Sequence, residues 1–456
     1  MASTKLTRTS GTPTLNTKYT LSFWVKRSKI TYSECFLFDG RIDASNRFKL
    51  AFDSNDKLGC FNSHSGSDTI SFGTNKVFRD TSGWYHIVLA VDTTQATSSD
   101  RVKLYVNGVQ ETSFSSTTYP SQNDANNVFN ENASGLTIGA YYNSSNFFEG
   151  LMTQVIFVDG TAYAPSTFGS INATSGIWVG NTSPTVTYGN NGFNLDMANS
   201  SDMGNDVSGN ANDFTVGGTL TQAKDCPDNV FATLNSLATS SYGTLSKGNN
   251  TVSGNASANS AETFSTLSTN NDGKYYYEIK CTGVNGADNP NFGFIQTARG
   301  FRLQNGEPGL GGATNGSLDI RVQPNGKTFE NGAASGSAVI STYTAGDILG
   351  FAIDSDNGAF YVAKNGTWQT SGNPESGASR TGAIKTWSPT DSKVTDGQSV
   401  CIGVYNTATI ADANFGNGYF GTTAVASAGT NASSNGIFEY DVPTGYTALT
   451  TKGFNL

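Results

Sequence analysis

The stretch Arg101-Val-Lys-Leu-Tyr-Val-Asn-Gly-Val109 decides the fold class. Val102, Leu104 and Val106 alternate with neighbours that can face water, which is the two-residue period of a strand with one buried face. The strand then closes on Asn107-Gly108, the pair best suited to the two positive-φ positions of a tight hairpin turn. The same device recurs in Ala359-Phe-Tyr-Val-Ala-Lys-Asn-Gly-Thr-Trp368, turning at Asn365-Gly366. Working outward, Tyr19-Thr-Leu-Ser-Phe-Trp-Val25 alternates around Leu21, Phe23 and Val25, and Trp84-Tyr-His-Ile-Val-Leu-Ala-Val91 reads as a longer, more fully buried strand. Helical periodicity is almost absent, and Gly, Asn, Asp and Ser clusters separate the apolar segments. The expected fold class is all-β, with two tandem antiparallel β-sandwich (jelly-roll) domains.

Length and composition agree. A chain of 456 residues is too long for one hydrophobic core. Glycine is abundant at 52 residues and aromatics reach 11%, so turns are frequent and Phe and Tyr supply much of the core. Charged residues are only 14%, with Ser, Thr, Asn and Gly in their place. The net charge of −9, with no run of Lys and Arg, opposes nucleic acid as a partner. No apolar run approaches the ~20 residues of a membrane span, and the segment Met1 to Gly11 lacks an apolar core, so neither membrane insertion nor a signal peptide is expected. Cys35, Cys60, Cys226, Cys281 and Cys401 are odd in number and widely spaced, which predicts buried free thiols. The domain boundary is placed near Cys226-Pro227. Residues 1–180 form one sandwich, 181–228 a linker or ordered extension holding the turn-rich run Asp206 to Asp213, and 229–456 a second sandwich.

Four pieces of the first half resemble laminin-G-like, concanavalin A-type jelly rolls. They are Leu21-Ser-Phe-Trp-Val-Lys-Arg27, Gly83-Trp-Tyr-His-Ile-Val-Leu-Ala-Val-Asp92, Val102-Lys-Leu-Tyr-Val-Asn-Gly108 and Phe148-Glu-Gly-Leu-Met-Thr-Gln-Val-Ile-Phe-Val158. From about residue 229 the chain is similar to SPRY domains, through Gly273-Lys-Tyr-Tyr-Tyr-Glu-Ile279, Gly346-Asp-Ile-Leu-Gly-Phe-Ala-Ile-Asp354 and Phe360-Tyr-Val-Ala-Lys-Asn-Gly-Thr-Trp368. The tandem order, with its Asn/Ser/Thr-rich dialect, resembles virion proteins of marine tailed phages, the podoviruses of cyanobacteria and their relatives. That resemblance implies a particle-surface location (tail fibre, appendage or capsid exterior). It also implies other virion proteins as partners and a homo-oligomer, trimeric or otherwise cyclic.

The residues offer little for catalysis. Glutamate is rare, no Glu-x-Asp-x-x-Glu run delivers the paired carboxylates of a retaining glycosidase, and Glu278 and Glu439 fall in SPRY framework pieces. Two histidines, His64 and His86, leave no material for a triad or a His-rich metal site. No cofactor is expected, with calcium as the one candidate. Asp39, Asp43, Asp53 and Asp56 crowd early loops where laminin-G-like relatives hold calcium, and Asp206 with Asp213 is a second candidate. Asp354-Ser-Asp-Asn-Gly358 opens like a calcium loop but has Asn365 where the bidentate Glu belongs, and reads as a turn.

For sugar, Tyr141, Tyr142, Asn143 and Asn146 combine stacking rings with amides. Adjacent strand residues point to opposite faces, so one of the two tyrosines must leave the core. In the SPRY-like half, Phe301-Arg302-Leu303 and Trp387 are candidates for partner contacts. The expected function is a non-enzymatic, lectin-like adhesin displayed for recognition of host-surface polysaccharide. The alternative is a structural decoration or appendage protein that mainly makes protein contacts.

Overall fold

The computed structural model describes residues 4–142, 144–255, 260–297, 318–330, 333–391 and 397–455. The chain divides into two compact units, Met1–Gln222 and Ala223–Leu456. Both are built from antiparallel sheets, and helix accounts for only 5%.

In the first unit the strands are β1 (Lys5–Thr9), β2 (Lys18–Arg27), β3 (Cys35–Arg41), β4 (Arg47–Phe52), β5 (Lys57–His64), β6 (Ser67–Val77), β7 (Tyr85–Asp92) and β8 (Val102–Val106). They continue with β9 (Val109–Glu111), β10 (Phe114–Thr118), β11 (Gly135–Ile138), β12 (Gly150–Asp159), β13 (Gly169–Ile171), β14 (Trp178–Gly180), β15 (Phe193–Leu195) and β16 (Thr215–Gly217). Among the described residues one sheet has eight strands, in the order β10-β6-β5-β4-β3-β11-β1-β16, and the facing sheet has six, β15-β12-β2-β7-β8-β9. The core lies between them. Leu21, Phe23 and Val25 of β2, Ile87, Leu89 and Val91 of β7, and Val102, Leu104 and Val106 of β8 meet Phe38, Phe48, Leu50 and Phe52 from the other sheet. The alternation read from the sequence is therefore the alternation of the packing. Asn107 and Gly108 adopt φ of 49° and 77°, and Asn365 and Gly366 adopt 48° and 78°, so both Asn-Gly pairs turn their hairpins as expected.

The two outer faces of this sandwich differ. That of the six-stranded sheet is covered by residues 160–188, whose Tyr163, Phe168, Val186 and Tyr188 pack on Val88, Ile156 and Val158. Within that cover the β13–β14 hairpin lays Trp178 against Gly108, where a Cβ would stand 2.3 Å from the indole. The turn thus needs glycine for space as well as for φ. Of residues 181–228, those up to Gln222 belong to the first unit and supply it with ordered strands, since β15 pairs with β12 and β16 with β1, and the rest fall in the second unit.

The second unit contains β17 (Leu234–Thr239), β18 (Gly243–Ser246), β19 (Thr251–Gly254), β20 (Ser260–Ser268), β21 (Lys274–Gly283), β22 (Asn291–Gln296), β23 (Asp319–Val322), β24 (Thr328–Glu330) and β25 (Ala333–Ala334). After them come β26 (Ile348–Asp354), β27 (Ala359–Lys364), β28 (Thr367–Trp368), β29 (Lys385–Thr386), β30 (Gln398–Tyr405) and β31 (Ile410–Asn414). One sheet runs β17-β20-β30-β22-β23-β24-β25, and the other is built on β18-β19-β31-β21-β26-β27-β28. Tyr275, Tyr277, Ile279, Phe294, Phe351, Phe360 and Trp387 share the core between them. A smaller apolar cluster on the outer face of β21 joins Tyr276 and Tyr361 to Phe438, Val442 and Tyr446 of the C-terminal segment.

All five cysteines are free thiols, four of them buried, as the spacing predicts. Among the described residues no helix is long and apolar enough to cross a membrane.

Candidate functional site

The eight-stranded sheet of the first unit turns Phe38, Phe48 and Leu50 into the core, so their strand neighbours Asp39, Arg47 and Lys49 point to the outer face. In register, Asp39 lies opposite Lys49 on β4 and Thr137 on β11, and Arg41 lies opposite Arg47. Two adjoining cavities occupy this face. One, of about 460 Å³, is lined by Glu34, Phe36, Asp39, Lys49, Phe61 and Tyr141, with Arg47 and Asn146 at its wall. The other, of about 520 Å³, includes Arg8, Arg41, Thr137 and Tyr142.

Aromatic rings and cations interleave along the face. Tyr141 packs on Phe36 at 4.8 Å between ring centres and edge-on against Tyr142 at 4.7 Å. Arg41 donates to the Tyr141 hydroxyl (3.2 Å) and lies over the Tyr142 ring at 4.0 Å. Arg47 lies 5.4 Å over Phe61, and Lys49 pairs with Glu34 at 2.7 Å. At the floor Asp39 is 2% exposed, and its Oδ2 is buried with no hydrogen-bond partner among the described residues. Burial pushes the Asp39 carboxyl up to about 7, against the pull of Arg41, Arg47 and Lys49. Nε of Arg47 is likewise buried and unpartnered. A buried acceptor and a buried donor, neither with a hydrogen-bond partner among the described residues, line one cavity with buried Phe36 and the half-buried rings of Phe61 and Tyr141, a set suited to a polar ligand.

Sequence reasoning placed Tyr141, Tyr142 and Asn146 here, but for a different reason. Both tyrosines leave the core, because β11 ends at Ile138 and Tyr141 sits in a small loop bridged to Ser145, where strand alternation no longer applies. The Asn146 carbonyl accepts from the Phe36 amide at 3.1 Å and fixes that loop to β3. Asn143 lies outside the described residues. Phe36, Phe61, Arg41 and Arg47 were missed. They are distant from Tyr141 in sequence, and only the β3–β4–β5 register brings them together.

The four aspartates expected at one calcium rim are not brought together. Asp43 closes the β3–β4 turn, accepting from the amides of Ser45 and Asn46. Asp53 closes the β4–β5 turn, accepting from those of Asn55 and Lys57. These turns lie at opposite ends of β4, roughly 17 Å apart at the rise of a strand. Asp56 is fully buried against Arg27 (3.0 Å) and Arg79 (2.8 Å), and Asp39 faces the cavity alone. Asp206 accepts from the amides of Asn194, Ser208 and Asn212, and Asp213 from that of Asp206, so this loop spends its carboxylates on its own backbone. Asp354 accepts from the amide and side chain of Asn357, the turn expected there.

His86 is buried on the covered face, between Trp24 (4.7 Å) and Trp178 (5.9 Å). Its Nδ1 accepts from the Trp178 indole at 2.9 Å, and Nε2 meets the Ser22 hydroxyl at 2.9 Å. Burial lowers its pKa to about 3, so it stays neutral. Glu278 is fully buried and accepts from Tyr276 Oη (3.0 Å), the amides of Glu439 and Tyr440 (both 2.9 Å) and Asn414 Nδ2 (3.4 Å). It fastens the C-terminal loop to β21, a framework task. Trp387, expected as a contact residue, is core instead, packed on Phe294 at 5.6 Å. Phe301-Arg302-Leu303 lies outside the described residues.

Comparison with known proteins bears on the first sandwich. Residues 2–166 match a laminin-G family model described as the concanavalin A-like lectin/glucanases superfamily. That sandwich is lectin/glucanase-like, a fold that serves carbohydrate or protein binding. No curated protein matches the chain. Among solved structures, the SPRY domain of human HERC1 aligns at 11% identity and a TM-score of 0.29, covering 40% of this chain and 96% of that one. A heptameric SAP-like pentraxin from Limulus polyphemus aligns at 13% and 0.28, covering 40% and 86%. Domain 4 of the Geobacillus stearothermophilus arabinanase AbnA, solved with arabinotriose, aligns at 23% and 0.25, covering 33% and 64%.

Proposed function

We propose that this chain is a non-enzymatic, lectin-like binding protein whose first sandwich takes saccharide on the outer face of its eight-stranded sheet. One observation carries the reading: Asp39 Oδ2 and Arg47 Nε are buried, have no hydrogen-bond partner among the described residues and share a cavity walled by Phe36, Phe61 and Tyr141. Sugars offer a face for ring stacking and hydroxyls that both donate and accept, which is the complement of that set. The match of residues 2–166 to a lectin and glucanase superfamily supports the same class. Binding rather than turnover is favoured because, among the described residues, Glu34 of the cavity is paired with Lys49 and the buried Glu278 of the second unit is saturated by framework donors. The resemblance of the tandem order to tailed-phage virion proteins supports display on a particle surface. There, weak single sites gain from repetition in a trimer or other cyclic oligomer.

Binding of the full chain to host-envelope polysaccharide, compared with Phe61→Ala and Tyr141→Ala/Tyr142→Ala variants, tests this reading. Loss of binding without unfolding is expected, and unchanged adsorption by all variants contradicts it. Immunogold labelling of intact particles tests the display.

A second reading, a structural piece making protein contacts, has its own support. Val109, Ile171 and Ile177 are 63–67% exposed, on edge strand β9 and on the β13–β14 hairpin that packs beside its turn. Labelling hidden between particle subunits would favour it.

A further inference from the structure

The charge at the platform runs against the charge of the chain. The whole molecule carries −9, yet the two cavities gather Arg8, Arg41, Arg47 and Lys49 against Glu34 and Asp39. Most of these cations are already engaged. Lys49 is paired with Glu34, Arg8 is held by Asn191 and Asn212, and Arg41 is held by Tyr141 and the Tyr142 ring. Arg47 differs, because its buried Nε has no acceptor while its guanidinium lies over the Phe61 face. A sugar hydroxyl could accept one bond from it but would leave its charge unanswered. A carboxylate answers both needs, since the planar fork of a guanidinium matches two carboxylate oxygens in parallel.

Asp39 is the apparent objection, because it would stand beside the incoming anion. The groups facing it decide the matter. Arg41 from its own strand and Arg47 and Lys49 from β4 are cationic, β11 offers uncharged Thr137 in register, and Glu34 is spent on Lys49. Already held as an acid up to about pH 7 by burial, Asp39 takes its proton more firmly beside a second negative charge and then donates instead of repelling. The remote negative charges of the chain are screened within a Debye length of ~8 Å at physiological salt, whereas contact-range charges are not.

We infer that the platform selects saccharides bearing a carboxylate, such as uronic acids, with Arg47 binding the carboxylate, Asp39 hydrogen-bonding beside it, and Phe61 and Tyr141 stacking on the ring. This rests on the saccharide reading above and adds the chemical class of the ligand. It also reverses what net charge alone predicts for salt. An acidic chain meeting an anionic envelope should tolerate raised salt, whereas an Arg47–carboxylate contact weakens with it.

The test is calorimetric titration of the full chain with oligogalacturonate and alginate oligomers, beside neutral maltohexaose and a single-stranded oligonucleotide. Titrations run at pH 6 and pH 8 and at low and high salt. An acidic saccharide should bind at least about tenfold tighter than the neutral one, a preference that Arg47→Gln abolishes while leaving the melting temperature close to that of the parent. Affinity should rise from pH 8 to pH 6, and Asp39→Asn should make it the same at both. Equal binding of neutral and acidic sugars, unaffected by Arg47→Gln, overturns the inference and leaves the saccharide reading standing. Binding of none of the saccharides overturns both. An oligonucleotide that binds as tightly as the acidic sugars overturns the inference by showing selection for charge alone.

Discussion

Asp39 on β3 and Glu278 on β21 hold comparable positions in the two sandwiches. Each points away from the core from a strand inside its sheet, each is almost fully buried, and burial pushes each carboxyl up to about 7. They differ in what covers them. The C-terminal loop folds over Glu278 and brings the amides of Glu439 and Tyr440, while Tyr276 and Asn414 complete its shell. Nothing within the described residues donates to Asp39 Oδ2, which faces a cavity. Burial alone therefore does not mark a functional carboxylate. A carboxylate whose donors come from its own chain is scaffold, and one left without donors in a lined cavity is prepared for a partner.

The sharpest way to break this contrast is to remove both groups. Glu278→Ala strands four donors in the interior and should cost about 3–5 kcal/mol, whereas Asp39→Asn should lie within about 1 kcal/mol of the parent. Chemical denaturation measures both, and equal losses would erase the distinction. Next in size is the contrast between the covered and the open face of the first sandwich. Trp178→Ala removes the lid of His86 and should cost about 2–3 kcal/mol, while Tyr141→Ala/Tyr142→Ala should cost about 1 kcal/mol and act on binding.

A smaller effect concerns pH. Asp39 titrates near 7 in the folded chain and near 3.8 when unfolded, so between these values the folded state holds the extra proton. Its contribution to stability is full below the unfolded value and is lost as pH rises through 7. Asp39→Asn should flatten that slope. His86 has the opposite sign, since its pKa falls from 6.5 to about 3, and its contribution is lost as pH falls below 6.5. Melting curves from pH 4 to pH 8 separate the two. The smallest expected effect is that of calcium. With Asp43, Asp53 and Asp56 committed to turns and arginines, adding calcium or EDTA should leave the melting temperature unchanged, and a shift of several degrees would reopen the rim site.

The strands, the two Asn-Gly turns and the free thiols were legible in the sequence, because period and turn chemistry are local properties. Tyr141 and Tyr142 were legible as a mixture of aromatics and amides close to a loop, although strand alternation was the wrong reason. Arg47 and Phe61 were not, since nothing local distinguishes them from other strand residues. Asp39 was singled out with three other aspartates for calcium. Only the strand register, which sends Asp43 and Asp53 to opposite ends of β4 and leaves Asp39 facing the cavity, separates it from them. Glu278 was legible as framework through its Lys-Tyr-Tyr-Tyr-Glu-Ile setting, but its two backbone donors come from about 160 residues onward in the chain.

Carbon-detected NMR of the side-chain carboxyls tests the central claim most directly, by following Asp39 and Glu278 through a pH titration with and without acidic oligosaccharide. Without saccharide, Asp39 should titrate near 7, and saccharide should move its midpoint while leaving that of Glu278 where it was. An Asp39 that titrates near its ordinary 3.8, or a midpoint that ignores every saccharide, would contradict the account.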